Sequence, residues 1–177
     1  IKSNIDLSGS FELQLTAKNK EIAKQLEVLK MVSIKLNDKR VKILPELKRK
    51  VQQHLQCLGM PYAQFEVLLS SIDTYHQFGN TELSFLFSAN KGHVLQEVDK
   101  VASGGELSRL MLAIKYISAQ SSKINTLVFD EIDAGVSGEI ASLMGDMMCE
   151  ISKKNQLITI SHLPQIASKA DVHLKVV

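Results

Sequence analysis

The sequence predicts an α/β fold with a parallel sheet, preceded by a long helical arm. Apolar residues recur at helical spacing through the first third of the chain, whereas residues 103–177 alternate short strand-like runs with amphipathic helices. Strands that alternate with helices of this length are typical of a parallel sheet with right-handed crossovers. At 177 residues, of which 45% are hydrophobic and 23% charged, the chain is long enough for one domain with its own core.

The predicted arm covers residues 1–58 and the predicted lobe residues 59–177. The polar residues 1–10 are expected to be a frayed start. Two apolar stripes follow, made of Ile22, Leu26, Leu29, Val32 and Leu36 and then of Leu44, Leu47, Val51, Leu55 and Leu58. Because the phase changes between them and Pro45 removes a backbone donor, the helix is expected to break or bend at residues 37–45. Gly59 suits the position just past the helix end.

The net charge of +2 is too small to indicate a nucleic-acid partner by itself. Its distribution is uneven, since residues 18–50 hold eleven Lys or Arg against four acids. This excess permits contact with a phosphate backbone along the arm, although a solvated helix face is the simpler explanation.

Cysteine usage and hydropathy favour an intracellular protein. Cys57 and Cys149 lie far apart without metal-ligand spacing, so we expect buried, reduced thiols on helices and a reducing, cytoplasmic compartment. No apolar run approaches the roughly 20 residues of a membrane span. Lysines interrupt the N-terminal region too often for a signal peptide, so no membrane partner is expected.

A small β region is predicted after the arm. Apolar residues alternate with polar ones from Phe65 to Leu69 and again from Leu83 to Phe87, with a loop at residues 73–80 between them. A turn at residues 90–92 precedes a short strand at residues 94–98.

From Ser103 the predicted order is turn, helix, strand, helix, strand, helix, strand. Residues 125–129 and 156–160 are nearly continuous apolar runs, as expected for strands that are buried on both faces of a parallel sheet. Residues 172–177 are predicted to form the final strand.

Residues 103–106, Ser-Gly-Gly-Glu, open a predicted helix. A serine followed three residues later by a glutamate is a capping box, which explains the pattern without any ligand. The same geometry binds phosphate, because free amides at a helix N-terminus attract oxygens and glycines let the backbone approach closely. The turn alone does not distinguish these explanations.

Acidic residues follow the first apolar strand at the edge where parallel sheets bind ligands. Successive side chains diverge, so Asp130 can hold hydrated magnesium while Glu131 reaches an attacking water. Asp133 opens a turn towards Ser137, which can cap the next helix. His162 follows the second strand and can contact a terminal phosphate. Each is also compatible with an ordinary solvated loop residue.

The order of these motifs resembles the ABC-type ATPases. Residues 103–109 are similar to their signature motif, and residues 127–131 to their Walker B strand with its catalytic glutamate. Residues 134–137 match the D-loop, with Ser137 in place of the usual final aspartate, and His162 matches the switch histidine. The agreement of order and spacing makes a chance resemblance improbable.

The residues within these motifs resemble those of the RecN family of bacterial DNA-repair ATPases, which are SMC-like. The resemblance rests on residues 102–115, 130–140 and 161–166, with support from residues 58–61 and 87–92. It implies the C-terminal lobe of an ABC-type P-loop NTPase head, with a parallel sheet and flanking helices, joined to the returning part of a coiled-coil arm.

The resemblance also implies a function and site residues. The whole protein would be an ATPase of DNA double-strand break repair and recombination, working with ATP and Mg²⁺ on DNA as a homodimer through its heads, in the cytoplasm at the nucleoid. Asp130 would help to hold the metal, Glu131 would polarise water and His162 would contact the γ-phosphate. The other implied nucleotide contacts are Ser103, Gly104, Gly105, Glu106, Asp133, Ala134 and Gly135.

The sequence contains no Gly-x-x-x-x-Gly-Lys-Ser/Thr phosphate loop. In the RecN family this loop lies on an N-terminal head segment, so we expect the chain to be the C-terminal part of a larger protein and to be inactive alone, binding ATP weakly or not at all. Two alternatives stay open. One is the head of another SMC-like repair ATPase, of the zinc-hook type, and the other is a non-catalytic dimerisation or structural module.

Overall fold

The computed structural model describes residues 2–101, 103–121 and 124–175, with side chains described from residue 11 onwards except at residue 121. It confirms the predicted α/β class with a parallel sheet. In chain order the elements are α1 (Lys2–Cys57), β1 (Gln64–His76), β2 (Gly79–Ser88), β3 (Gln96–Glu97), a 3₁₀ turn (Val98–Lys100), α2 (Gly104–Ser121), β4 (Thr126–Asp130), α3 (Gly138–Ser152), β5 (Gln156–Ile160) and α4 (Pro164–Ala167).

The chain divides into two compact units. The arm unit contains Ile1–Ile43 and Ser70–Glu82, and the lobe unit contains Leu44–Leu69 and Leu83–Val177. This division differs from the predicted one at residue 58. The last turns of α1 belong to the lobe unit because their apolar side chains form part of its core.

Helix α1 runs without interruption for 56 residues. The expected frayed start is wrong for residues 2–10, which are helical, and Ile1 lies outside the described residues. A break at residues 37–45 is also wrong, since Pro45 lies inside the continuous helix, whereas a bend there stays a prediction. Proline removes only one hydrogen bond from the ladder, and the neighbouring turns of so long a helix keep theirs.

The end of α1 confirms the predicted role of Gly59. The Gly59 amide donates to the Gln56 carbonyl at 3.1 Å, and the Met60 amide donates to the Leu55 carbonyl at 2.9 Å. These two bonds form a Schellman motif, which needs a left-handed residue, and Gly59 supplies it with a φ of 75°. Ile140 occupies the space that a Cβ would need, so another residue would clash there as well as strain the backbone.

Strands β1, β2 and β3 form a sheet in that order. The hairpin is longer than predicted, because the expected loop at residues 73–80 is only a turn at residues 77–78. Within the arm unit, Arg40 holds this end of the hairpin by donating to the Phe78 carbonyl at 2.6 Å and to the Thr81 hydroxyl. The polar sequence suggests a loop, but long-range bonds of this kind stabilise it as strand.

Two other predicted strands are shortened or missing. The strand expected at residues 94–98 is reduced to β3, which pairs antiparallel with β2. The final strand is not formed over residues 172–175, and residues 176–177 lie outside the described residues. Val172 and Leu174 are 76% and 86% exposed, so within the described part of the chain this alternating segment has no strand to pair with.

Strands β4 and β5 form a parallel pair. One face is covered, since Leu127 and Phe129 are buried. The other face carries Val128, Ile158 and Ile160, whose side chains are 60%, 47% and 54% exposed. The prediction of strands buried on both faces is therefore wrong here, because no described residue covers this second face.

Helix α2 lies between two clusters of apolar side chains. Leu110 and Ala113 belong to a cluster with the end of α1 and the antiparallel sheet. Leu112 and Ala119 belong to a second cluster with β4 and α3. Burial on two sides fixes α2, and with it the turn at its N-terminus.

The two cysteines lie on helices and are free, as predicted, but neither is buried. Cys57 is exposed and Cys149 is half-buried. Cys57 ends α1 on the solvent side, because Leu55 and Leu58 take the buried positions of that turn. Among the described residues, no helix combines the length and the apolar character needed to cross a membrane.

Candidate functional site

The carboxyl ends of β4 and β5 meet at one edge of the parallel pair, where Asp130 lies opposite Ile160. Asp130 and Glu131 are exposed, and so is His162, two residues after Ile160. The Glu131 amide donates to the Ile160 carbonyl at 3.0 Å, which extends the pairing by one residue. The structure thus places the two predicted acids and the predicted histidine at the same edge of the sheet.

Glu131 has a left-handed backbone, with a φ of 48°, and no other described residue besides glycine has a positive φ. This conformation costs a residue with a Cβ about 1–2 kcal/mol. The chain then turns, with the Ala134 amide donating to the Glu131 carbonyl at 3.0 Å. Strained residues cluster at functional sites, where the surrounding structure fixes a side chain in one place. The strain therefore supports a functional role for Glu131.

Asp133 differs from these acids because its side chain is fully buried, with 0% exposure. The Ser161 hydroxyl donates to Asp133 Oδ2, and the same hydroxyl oxygen accepts from the Leu163 amide at 3.0 Å. Oδ1 of Asp133 has no hydrogen-bond partner among the described residues. The direct nucleotide contact that the resemblance implies for Asp133 would require this carboxylate to become exposed.

The glycine turn that begins α2 packs against the turn after β4. A Cβ placed on Gly105 would lie 3.2 Å from the Ala134 carbonyl oxygen and 3.4 Å from that of Gly135. Gly135 is itself left-handed, with a φ of 73°, so the close approach depends on glycine at both positions. Ser103 and Gly104 are exposed, and the first amides of a helix have no partner within it, so this end of α2 is accessible to an anion.

The helix caps agree only partly with the prediction. Ser103 occupies the N-cap position of α2, since its carbonyl accepts from the Leu107 amide at 3.1 Å. Glu106 accepts a long bond of 3.5 Å from the Asn90 side chain, for which the sequence gives no signal. Ser137 is the N-cap residue of α3 but makes no side-chain capping bond.

Arg109 has a role that the sequence did not predict. Its Nε donates to the Gly105 carbonyl and its Nη1 to the Leu58 carbonyl, each at 3.1 Å. The side chain therefore ties the first turn of α2 to the end of α1. The motif at residues 103–109 contains this arginine, but a bond to a residue 51 positions away leaves no periodic signal in a sequence.

Asp130 offers one accessible carboxylate for a metal ion. The described residues contain no group of three or more His, Cys, Asp or Glu side chains that could hold one, so they form no complete metal cage. Mg²⁺ bound together with a nucleotide needs only one or two protein carboxylates, because phosphates and waters supply its other ligands. An exposed aspartate at the end of β4 fits that requirement.

By sequence, the chain is similar to proteins described as DNA-repair proteins. No family model matches it. Its curated relatives include several proteins described as DNA repair protein RecN. The one from Rickettsia conorii is 36% identical over 159 residues, which are 90% of this chain and 29% of the relative. The chain therefore spans less than a third of the length of the curated relatives it matches.

Solved structures match the chain as well. The Smc head domain with a coiled coil and joint from Pyrococcus yayanosii has a TM-score of 0.60 at 18% identity, covering 90% of this chain and 30% of that one. A second match comes from work on ATP-driven dimerization and DNA-stimulated activation of SMC ATPases. Its TM-score is 0.51 at 19% identity, covering 76% of this chain and 78% of that one. At these identities the likeness shows a shared fold, that of SMC head domains.

Proposed function

We propose that this chain is the C-terminal part of a RecN-like DNA-repair ATPase and that it supplies half of that protein's nucleotide site. Its sequence similarity to RecN proteins and its likeness in fold to SMC head domains support the proposal. The observation that carries the proposal is the edge of the parallel pair, which presents exposed Asp130, strained Glu131 and exposed His162. Folds with parallel strands bind ligands at this edge.

Each of these three residues has its own task. Asp130 would help to hold Mg²⁺, which would neutralise phosphate charge when bound. Glu131 orients the water that attacks the γ-phosphorus and takes its proton as the bond from that phosphorus to the leaving ADP oxygen breaks. The turn after β4 fixes the Glu131 carboxylate just beyond Asp130. His162 contacts the γ-phosphate through one ring nitrogen.

The glycine turn of α2 serves the nucleotide of a second copy of the protein. The Ser103 hydroxyl and the amides of Gly104 and Gly105 donate to its γ-phosphate, and the partial positive charge of the helix N-terminus strengthens these bonds. Glu106 borders this surface, and the turn of Ala134 and Gly135 packs against Gly105. The matched SMC ATPase, described as dimerising with ATP, supports a head-to-head homodimer.

An N-terminal head segment of the same protein supplies the phosphate loop that these 177 residues do not contain. It docks on the open face of the parallel pair, where Val128, Ile158 and Ile160 are exposed. Fully burying an aliphatic side chain stabilises by about 1.5–3 kcal/mol, so three such residues favour association. Docking of this segment would explain why strands whose sequences are typical of buried strands are exposed on one face.

The arm binds a second helix and DNA. Ile22, Leu26 and Val32 form an apolar stripe but are more than half exposed, as expected for one strand of a coiled coil without its partner. The excess of Lys and Arg in residues 18–50 attracts phosphate backbones. Binding to chromosomal DNA during repair places the protein in the cytoplasm, at the nucleoid.

Glu131→Gln in the full-length protein tests the enzyme assignment. The substitution keeps the size of the side chain but removes the base, and losing a general base typically lowers the rate about 10²–10⁴-fold. We expect slow steady-state ATP hydrolysis and a dimer held by uncleaved nucleotide, detected by light scattering. Glu139→Gln, in the exposed first turn of α3, is the matched control and should keep full turnover. Full turnover in Glu131→Gln would refute the assignment.

A purely structural role for the chain makes a different prediction. If the chain is half of an enzyme, adding the N-terminal segment in trans should restore ATP hydrolysis, and unrestored activity favours a dimerisation module.

Calorimetric titration of the chain alone should show no micromolar ATP binding, and such binding would contradict the role assigned to the absent phosphate loop. A head of the zinc-hook type is distinguished by hook cysteines in the full-length sequence.

A further inference from the structure

Two loops carry the proposed catalytic residues, and they are joined at two points. Residues 131–136 follow β4 and residues 161–163 follow β5. The first link is the backbone bond from the Glu131 amide to the carbonyl of Ile160, the last residue of β5. The second link, the bond from the Ser161 hydroxyl to Asp133, joins the two loops directly. We propose that Asp133 and Ser161 are a positioning pair that sets where His162 stands relative to Glu131, an inference that rests on the proposed ATPase function.

The Ser161 hydroxyl holds the backbone on both sides of His162. A hydroxyl has one hydrogen to donate and two lone pairs to accept with. Donation to Asp133 Oδ2 fixes the orientation of this hydroxyl, and its oxygen then accepts from the Leu163 amide at 3.0 Å. Residues 161 and 163 are thereby fixed together, and His162 lies between them. Without Asp133 the hydroxyl is free to rotate, and the loop loses its side-chain link to the turn that carries Glu131.

The burial of Asp133 argues against a role in stability alone. Its side chain is 0% exposed, yet Oδ1 has no partner among the described residues. Burying a carboxylate with one oxygen unpaired opposes folding, so an apolar residue of similar size would suit a merely structural position better. What the acid provides here is the acceptor for Ser161.

The test uses single-turnover ATP hydrolysis by the full-length protein, with bound ATP measured separately. Asp133→Ala and Ser161→Ala each remove the bond between the loops. We expect each to lower the rate constant about 10- to 100-fold, because displacing a catalytic group by about 1 Å costs up to about 10²-fold, while ATP bound per head stays unchanged. A merely structural role predicts the opposite pattern, in which less ATP is bound but the rate constant of the folded molecules is unchanged. That pattern would overturn the proposal.

Further variants separate loss of the bond from loss of folding. Asp133→Asn keeps an acceptor oxygen and Ser161→Thr keeps the hydroxyl, so both should recover most of the rate. Ser161→Ala is also made in the Asp133→Asn background, where no buried charge is left unpaired, and it should again be slow. The double change Asp133→Ala with Ser161→Ala should be no slower than either single change, since both remove one interaction. If the fold-losses in rate constant of the two single changes multiply in the double change, the two residues act independently and the positioning pair is contradicted.

Two controls complete the design. Ser168→Ala removes an exposed hydroxyl that donates to the Gln165 carbonyl at 3.3 Å, and it should keep the full rate. Glu131→Gln is measured in parallel. If it is slow while Asp133→Ala and Ser161→Ala are fast, the positioning pair is refuted and the proposed ATPase stands. If Glu131→Gln itself is fast, the ATPase assignment fails and the inference loses its premise.

Discussion

The two halves of α1 carry similar apolar stripes in opposite surroundings. In the arm unit Ile22 and Leu26 are 56% and 53% exposed, whereas Val51 and Leu55 in the lobe unit are 0% exposed. Helical periodicity indicates that a face is to be covered but does not identify the partner. The lobe half packs against α2 and the antiparallel sheet of the same chain. In the arm half, no described residue covers Ile22 and Leu26 to a similar degree.

The largest expected effect is a difference in the free energy of unfolding between matched leucine substitutions in the two halves of α1. Leu55→Ala should lower the free energy of unfolding of this chain by about 2–5 kcal/mol, because it leaves a cavity in the core. Leu26→Ala, on the exposed half, should change it by less than about 0.5 kcal/mol. Urea denaturation followed by circular dichroism measures both. Equal losses would contradict the contrast, and in the full-length protein the cost of Leu26→Ala should rise if a second helix covers it.

A smaller effect on stability is expected from a substitution at Pro45, near the point where the two halves of α1 join. Proline in a helix interior is about 3 kcal/mol less favourable than alanine, and the stiffer unfolded chain of the proline form offsets up to about 1 kcal/mol. Pro45→Ala should therefore stabilise the chain by about 2 kcal/mol in the same urea experiment. Lys39→Ala, an exposed position within α1, is the control and should change little. A loss of stability in Pro45→Ala would show that proline serves the junction in another way.

The smallest expected effect is a dependence of stability on pH. Within α1 it involves only the lobe half, since residues 1–43 contain no histidine. The ring of His54 meets Tyr116 edge-on, with centroids 4.7 Å apart. Burial, and to a lesser degree nearby Lys50, lowers the pKa of His54 below its ordinary 6.5. Below about pH 6.5 the unfolded state therefore binds more protons than the folded state, and stability falls as the pH falls towards the folded pKa.

The melting temperature of the chain should accordingly drop between about pH 7.5 and 5.5, and drop less in His54→Gln. His173→Gln, at an exposed position outside the regular elements, should keep the wild-type slope. An unchanged slope in His54→Gln would assign the pH dependence to other groups.

The same contrast between near and distant partners explains what the sequence could predict of the fold. Helical stripes and the left-handed end at Gly59 depend on neighbours within a few positions, and both were predicted. The extended hairpin at residues 73–76 was missed because Arg40, far away in the sequence, holds it in place. The open face of β4 was missed because an apolar run does not show whether its second partner lies in the same chain.

In the candidate site, too, features set by local sequence were predicted and features set by distant contacts were not. An apolar run ending in two acids was enough to predict Asp130 and Glu131 at the edge of the sheet. The left-handed backbone of Glu131 and the burial of Asp133 were not predictable, because these residues bond to Ile160 and Ser161, about thirty positions away. Their roles in a nucleotide site stay predictions for the experiments above.

Arg109 gives the lobe a mechanical property. One guanidinium binds the carbonyl of Leu58, at the end of α1, and the carbonyl of Gly105, in the first turn of α2. The Schellman bonds around Gly59 leave the first of these carbonyls little freedom to move. The Arg109 side chain is therefore a direct physical connection between the last turn of α1 and the glycine turn.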